Sequence, residues 1–220
     1  MKNTATILAA LSIGAVSAAA GTAPVPVRSS GKTIPTAPPV VDPCAVPISY
    51  NNVELLYAYT DWDDFDGHGN GGILRAEYSP FQNFYFTLGG EYHDVGNVSI
   101  WQFTAGIGGY IPLTQNVHLA VDGGAAYYNL DVNSDLSSSL DDGFRDDGWG
   151  WYVRPHIRAR WGCFEIHAGA KYTKVDQADV DEWVGFADLY YQVSPGWDLT
   201  AGVEVGDRRT AVTGGARYRF

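Results

Sequence analysis

The stretch WGWYVRPHIRARW, residues 149–161, decides the fold. Its odd-numbered positions are all apolar, namely Trp149, Trp151, Val153, Pro155, Ile157, Ala159 and Trp161. Its even-numbered positions are polar or small and end in a basic run, namely Gly150, Tyr152, Arg154, His156, Arg158 and Arg160. In a β-strand successive side chains point to opposite faces, whereas a helix would mix these two sets. The segment is therefore predicted to be a strand with one apolar and one basic face.

The same alternation recurs along the rest of the chain. Ten segments show it, at 53–62, 72–79, 84–94, 99–111, 117–131, 149–161, 163–175, 183–193, 197–206 and 210–220. Tight turns and longer polar loops alternate between them, so the longer loops all fall on one side. This predicts an all-β, up-and-down antiparallel barrel of ten strands. Eight strands remain an alternative, because strand boundaries are the least reliable part of a sequence-based prediction.

Two kinds of barrel show such alternation. A soluble barrel buries its apolar face, whereas a transmembrane barrel turns that face to lipid and its polar face to the lumen. Aromatic residues stand at the ends of the apolar faces, as with Trp149 and Trp161, and charged residues lie near the centres of the polar faces. Interfacial girdles of aromatic residues are typical of membrane barrels. We therefore predict a transmembrane β-barrel.

The chain ends GARYRF, with Tyr218 and Phe220 at alternate positions of the last strand. This ending resembles the C-terminal assembly signal of small bacterial outer-membrane β-barrel proteins, in which a terminal Phe follows an aromatic residue two positions earlier. The resemblance implies an outer-membrane location and recognition of Tyr218 and Phe220 by the barrel-assembly machinery. It also implies outer-membrane lipid and lipopolysaccharide as surroundings.

The N-terminal region is predicted to consist of two segments that precede the barrel. Residues 1–20 carry Lys2 and one uncharged apolar run with small residues at 18 and 20, as in a cleaved signal peptide. Residues 21–47 are rich in proline and are predicted to form an extended periplasmic tail, with peptidoglycan or a periplasmic protein as its candidate partner. The barrel domain is assigned to residues 48–220, with its long loops extracellular.

The formal charge of −11 lies in three predicted loops at 63–71, 133–148 and 176–182. These loops contain twelve acidic residues and one base, so the remainder of the chain is balanced. The first loop offers closely spaced oxygen ligands for a hard cation such as calcium, or it is simply a solvated surface loop. The metal question stays open, and we expect no cofactor and no nucleic-acid partner.

The inward faces of the strands carry a balanced set of charges. The predicted lumen network comprises Glu54, Arg75, Glu77, Glu91, Asp122, Arg154, Arg158, Arg160, Glu165, Lys171, Asp188, Glu204, Arg217 and Arg219. Charges inside a narrow barrel require partners or water. We expect Arg158 or Arg160 to pair with Glu165, and Arg217 or Arg219 to pair with acids of the first strand such as Glu54. A balanced network indicates a plug more than an ion-selective pore.

The two cysteines, Cys44 and Cys163, both fall on the periplasmic side of the predicted topology. Export to an oxidising compartment then predicts a disulfide between them, which would draw residues 44–50 toward the barrel mouth.

Three functions follow from these observations. The first is a barrel with a charged, plugged lumen and acidic surface loops, in a structural or surface-interaction role. The second is a narrow porin-like channel for ions or small solutes. The third is a hydrolase at the outer rim, with His68 and Asp61, or His93 and Asp94, as its acid–base pair. No nucleophile motif supports the third, so we predict that the protein is not an enzyme.

Overall fold

A computed structural model describes residues 44, 46–62, 67–96, 98–132, 146–178 and 180–220. Ten strands form the fold, namely β1 Asn52–Trp62, β2 Gly67–Phe81, β3 Phe84–Val95, β4 Val98–Thr114, β5 Val117–Val132, β6 Asp146–Trp161, β7 Phe164–Val175, β8 Val180–Ser194, β9 Trp197–Gly206 and β10 Arg209–Arg219. One short 3₁₀ helix, Asp176–Ala178, lies between β7 and β8. Within these residues no helix is long and apolar enough to cross a bilayer. The predicted signal peptide and nearly all of the predicted tail lie outside the described residues.

The sheet closes on itself because the first and last strands pair. Each strand pairs with its neighbours in the chain, and β1 pairs with β10 from Asn52 opposite Arg219 to Trp62 opposite Arg209. Closure leaves no sheet edge with unpaired backbone groups. The ten-stranded antiparallel barrel is confirmed, and the eight-stranded alternative is wrong. We call the end with the tight turns and the chain terminus the turn end, and the opposite end the loop end.

Several strands run further toward the loop end than predicted. β2 begins at Gly67 instead of residue 72, and β8 begins at Val180 instead of residue 183. Gly67 and His68 read as loop residues in sequence, but they lie opposite Trp62 and Asp61 of β1. The neighbouring strand offers backbone partners there, and these override the weak strand preference of glycine.

The outer face of the barrel is apolar and its inner face is polar, the reverse of the arrangement in a soluble protein. On β6 the outward Ile157 is 41% exposed, whereas the inward Arg158 is 1% exposed. Trp149 and Trp161, at the two ends of the same outer face, are 68% and 56% exposed. An apolar exterior with aromatic residues at both rims and a polar interior is the arrangement of a transmembrane barrel.

The backbone ladder has a gap in the middle of one strand pair. Between β6 and β7 the pairing runs from Val153 opposite Tyr172 directly to His156 opposite Gly169. Pro155 lies in this gap and has no N–H to donate. The seam between β6 and β7 therefore lacks a hydrogen bond on the lipid-facing wall.

Candidate functional site

The structure places every residue of the predicted lumen network on the inner wall. Most of these side chains are buried, with Arg75, Arg154 and Lys171 partly accessible. Two further charged residues join them, Asp198 and Arg209. Arg209 lies just before residue 210, where the last strand is predicted to begin. Its alternation with Ala211 and Thr213 on the same face was the signal that would have found it.

The lower network comprises the ion-paired side chains nearest the turn end. Its bases are Arg154, Arg158, Arg160, Arg217 and Arg219, and its acids are Glu77, Asp122, Glu165 and Asp198. Three arginines share the Glu165 carboxylate, which we call the lower hub. N–H groups of Arg158, Arg160 and Arg217 donate to it at 3.3, 3.0 and 2.9 Å. With five bases and four acids, the lower network carries one surplus positive charge.

The upper network comprises the ion-paired side chains of the middle and the loop end. Its bases are Arg75, Lys171 and Arg209, and its acids are Glu54, Glu91, Asp188 and Glu204. Three carboxylates share the Arg75 guanidinium, which we call the upper hub. It lies 2.7 Å from Glu204, 3.1 Å from Asp188 and 3.7 Å from Glu54. With three bases and four acids, this network carries one surplus negative charge.

A layer of rings separates the two networks. The Arg217 guanidinium carbon lies 3.6 Å from the centre of the Tyr190 ring. Nearby, the His156 and His167 rings meet edge to face at 4.4 Å, and His167 meets Phe186 at 5.1 Å. Within the described residues, the ion pairs that the arginines of the two networks and Lys171 make in the lumen each stay within one network or the other. The lumen is thus two charge clusters stacked across a mostly aromatic layer.

The pairing predicted for the last strand is wrong. Arg217 lies directly opposite Glu54 in the β1–β10 register, yet its guanidinium binds Glu165 and Asp198. Glu54 instead pairs with Arg75. An arginine side chain is long enough to cross a narrow lumen, so strand register alone does not select its partner. The prediction that Arg158 or Arg160 meets Glu165 agrees with the geometry, because both do.

Inward glycines make room for side chains that pack against the inner wall. A Cβ on Gly108 would lie 2.3 Å from the Tyr85 ring. A Cβ on Gly106 would lie 2.6 Å from the Tyr152 hydroxyl, and one on Gly202 would lie 2.1 Å from the Asp188 carboxylate. These glycines therefore allow tyrosines and one aspartate to pack against the wall.

The predicted disulfide is confirmed, with Cys44 and Cys163 bonded and their Cα atoms 4.6 Å apart. Cys163 follows Gly162 in the turn between β6 and β7, where Gly162 has φ of 55°. We call Cys44 with residues 46–50 the strap. Of its residues, Ile48 is 8% exposed and Tyr50 is 3% exposed. The strap therefore enters the turn-end mouth of the barrel.

Tyr50 lies in that mouth within an aromatic stack. Its ring lies 4.2 Å from the Tyr110 ring and 4.7 Å from the Tyr85 ring, centre to centre. The Arg158 guanidinium carbon lies 4.6 Å from the Tyr50 ring centre, so the stack forms the floor of the lower network. Burial raises the pKa of the Tyr50 hydroxyl, which keeps the ring neutral. Sequence reasoning placed this segment at the mouth but did not single out Tyr50.

Two small cavities lie inside the barrel. One of about 50 Å³ lies between the networks and is lined by residues that include Arg75, Arg154 and Tyr190. Another of about 110 Å³ lies toward the loop end beside Trp62 and Arg209. Such volumes hold a few water molecules. This space can hold water that hydrates the neighbouring charges.

The histidine candidates for catalysis separate into two cases. His93 is buried inside, where it contacts Thr60, whereas Asp94 is exposed on the opposite face, so this pair does not form. His68 and Asp61 do meet, at 3.2 Å, but their side chains are 63% and 60% exposed on the outer surface. The second pair therefore lies outside the lumen.

The acidic loops fall largely outside the described residues. Asp63, Asp64 and Asp66 of the proposed calcium loop are among them, as are residues 133–145. Within the described residues, no group of three or more His, Cys, Asp or Glu side chains is placed to hold a metal ion.

No protein-family model matches the sequence, and no curated protein matches it either. Among solved structures, the KdgM porin is 14% identical with a TM-score of 0.43, over 76% of this chain and 99% of the porin. The outer membrane protein OprG from Pseudomonas aeruginosa is 14% identical with a TM-score of 0.43, over 77% of this chain and 94% of OprG. Neisserial surface protein A is 12% identical with a TM-score of 0.41, over 77% and 95%. At these low scores the likeness adds nothing to the fold, which the strand pairing establishes.

Proposed function

We propose that the chain is an outer-membrane β-barrel whose lumen is plugged, with a structural or surface-interaction role at the envelope. The observation that carries this proposal is the pair of stacked charge networks, closed at the turn end by the strap. Together the networks contain eight bases and eight acids. A permeating ion finds no surplus of one charge over the whole lumen.

The energetics of the network favour a static plug. Removing one partner of a buried ion pair costs about 3–5 kcal/mol, because an uncompensated charge remains. Glu165 and Arg217 are each 1% exposed at their side chains, and each holds more than one partner. A solute crossing the lower network would have to break several of these contacts at once.

The exterior supports the proposed location. Lipid would contact the apolar outer faces, and lipopolysaccharide would surround the loop end. The outward Tyr218 and Phe220, 43% and 60% exposed, would present the assembly signal to the barrel-assembly machinery. Residues 21–43 would lie in the periplasm, where peptidoglycan or an envelope protein is the candidate partner.

Single-channel conductance in a planar bilayer tests the proposal. Refolded chain without residues 1–20 is inserted, and folding is verified by the mobility difference between heated and unheated samples. We expect no steady current from the folded barrel. A matched control, Arg217→Ala with Glu165→Ala, removes one base and one acid together and should give a detectable current by vacating the lower lumen. A steady current from the unchanged chain would reject the plug in favour of a narrow channel.

A further inference from the structure

We propose that the Cys44–Cys163 disulfide is a redox-active latch, and that a periplasmic dithiol can open it and release the strap from the barrel mouth. The proposal assigns a modification site to the turn end, and its co-reactant is a dithiol compound or protein. It rests on the proposed function, since the turn end must face the periplasm.

The two halves of the latch are held very differently. Cys163 is fixed in the wall, because it sits in the tight turn between β6 and β7 and its carbonyl accepts a hydrogen bond from the Gln192 N–H at 2.9 Å. Cys44 lies on the strap, and residues 46–50 belong to no strand. Breaking the bond would therefore leave the wall intact and free only the strap.

Side-chain packing holds the strap together with the disulfide. Tyr50 stacks on Tyr85 and Tyr110, and Ile48 is buried beside it. Every residue that is ordered loses conformational freedom, and this packing has to offset that loss. The Tyr50 hydroxyl is buried without a hydrogen-bond partner among the described residues, which weakens its insertion. The cross-link thus adds to the packing that keeps the strap in place.

The latch is placed where a dithiol can reach it. Both cysteines are partly exposed at the rim. A thiolate of the dithiol attacks one cysteine sulfur, the Cys44–Cys163 bond breaks, and a mixed disulfide forms. The second thiol of the reagent then resolves the mixed disulfide. The barrel gains two electrons and two protons as two thiols, and the dithiol is oxidised to its own disulfide.

Hydrogen exchange of the folded barrel tests the latch, with dithiothreitol as the probe. Exchange is followed by mass spectrometry in peptides that cover residues 46–51 and in peptides from β8 and β9. We expect reduction to speed exchange in the strap by at least about tenfold, since a native cross-link contributes more than that factor to closure. Exchange in β8 and β9 should stay unchanged.

One double variant and one labelling experiment complete the test. The pair Cys44→Ser with Cys163→Ser should exchange like the reduced barrel without any reductant. After reduction, both thiols should react with a maleimide while the barrel keeps its folded mobility. Equal strap exchange in the oxidised and reduced barrels would overturn the proposal, as would a disulfide that is reduced only after denaturation. A steady current from the oxidised barrel would reject the plugged lumen, and strap exchange would still decide the latch separately.

Discussion

The lower network gathers five bases around four acids, and the upper network gathers four acids around three bases. Their access to water also differs. At the lower hub the Glu165 side chain is 1% exposed, whereas at the upper hub the Arg75 side chain is 16% exposed and borders a cavity. Glu54 and Glu204, which pair with Arg75, line this cavity and can be rehydrated there, whereas Glu165 does not line it. The comparison teaches that the loss of an ion-pair partner has a different energetic cost at the two ends of one lumen.

The largest effect is expected when the lower hub is neutralised. Glu165→Gln leaves three buried arginines facing an uncharged amide, and we expect it to lower the free energy of unfolding by about 3–5 kcal/mol. Urea unfolding in lipid vesicles, followed by tryptophan fluorescence, measures this. A loss below that of the upper-hub variant described next would contradict the proposed difference between the networks.

A smaller effect is expected at the upper hub. Arg75→Met removes the shared partner of Glu54, Asp188 and Glu204, but water in the adjoining cavity can reach two of the carboxylates. Since Glu54 and Glu204 line that cavity and Asp188 does not, we expect a loss of about 2–3 kcal/mol, below the range for a fully buried pair. The same unfolding experiment measures it, with Arg208→Met as an exposed control of the same chemistry.

The gap in the pairing between β6 and β7 offers a third test, this time of the backbone. Pro155→Ala restores an N–H in the gap between β6 and β7, and we expect a gain of about 1 kcal/mol, the net contribution of one hydrogen bond. Ala159→Pro, four residues along the same strand, removes a donor from an intact part of the ladder and should destabilise the barrel. A destabilised Pro155→Ala variant would show that the proline is required by the wall.

The smallest effect concerns the floor of the lower network. Tyr50→Phe keeps the aromatic stack but removes a buried hydroxyl that has no partner among the described residues. We expect the free energy of unfolding to rise by roughly 0.5–1 kcal/mol, because an unsatisfied polar group no longer has to be desolvated. Tyr50→Ala is the contrasting variant and should lower it. If Tyr50→Phe were destabilising, the hydroxyl would have to be hydrogen-bonded in solution.

The sequence predicted which side chains point into the lumen better than it predicted how they pair there. Period-two alternation fixes which way a side chain points, so Arg158, Glu165 and Arg217 could all be placed inside. The Cys44–Cys163 bond followed from the same topology. The alternation does not show how far a side chain extends across the lumen. Arg217 passes over its register partner Glu54 because its guanidinium finds two carboxylates elsewhere.

The inner wall also contains apolar residues that the alternation did not single out. Leu56, Ala58 and Ile73 form a buried cluster on the lumen side of β1 and β2. On β1 the outward residues between them are also apolar, so both faces of this strand read alike. Only the pairing of β1 with β10 and β2 assigns each residue to its side. The loop-end extensions of β2 and β8 were missed for a related reason, since neighbouring strands supplied the hydrogen bonds.

The disulfide also determines how mechanical load would enter the barrel. A pull on residues before Cys44 would pass through the sulfur atoms to the turn between β6 and β7, instead of to the start of β1. Load applied there would act along β6 and β7, against many hydrogen bonds in parallel. Without the bond the same pull would act on Asn52 and peel β1 from β10 one pair at a time, starting where Asn52 meets Arg219. The cross-link therefore makes the closing seam of the barrel insensitive to tension from the N-terminal segment.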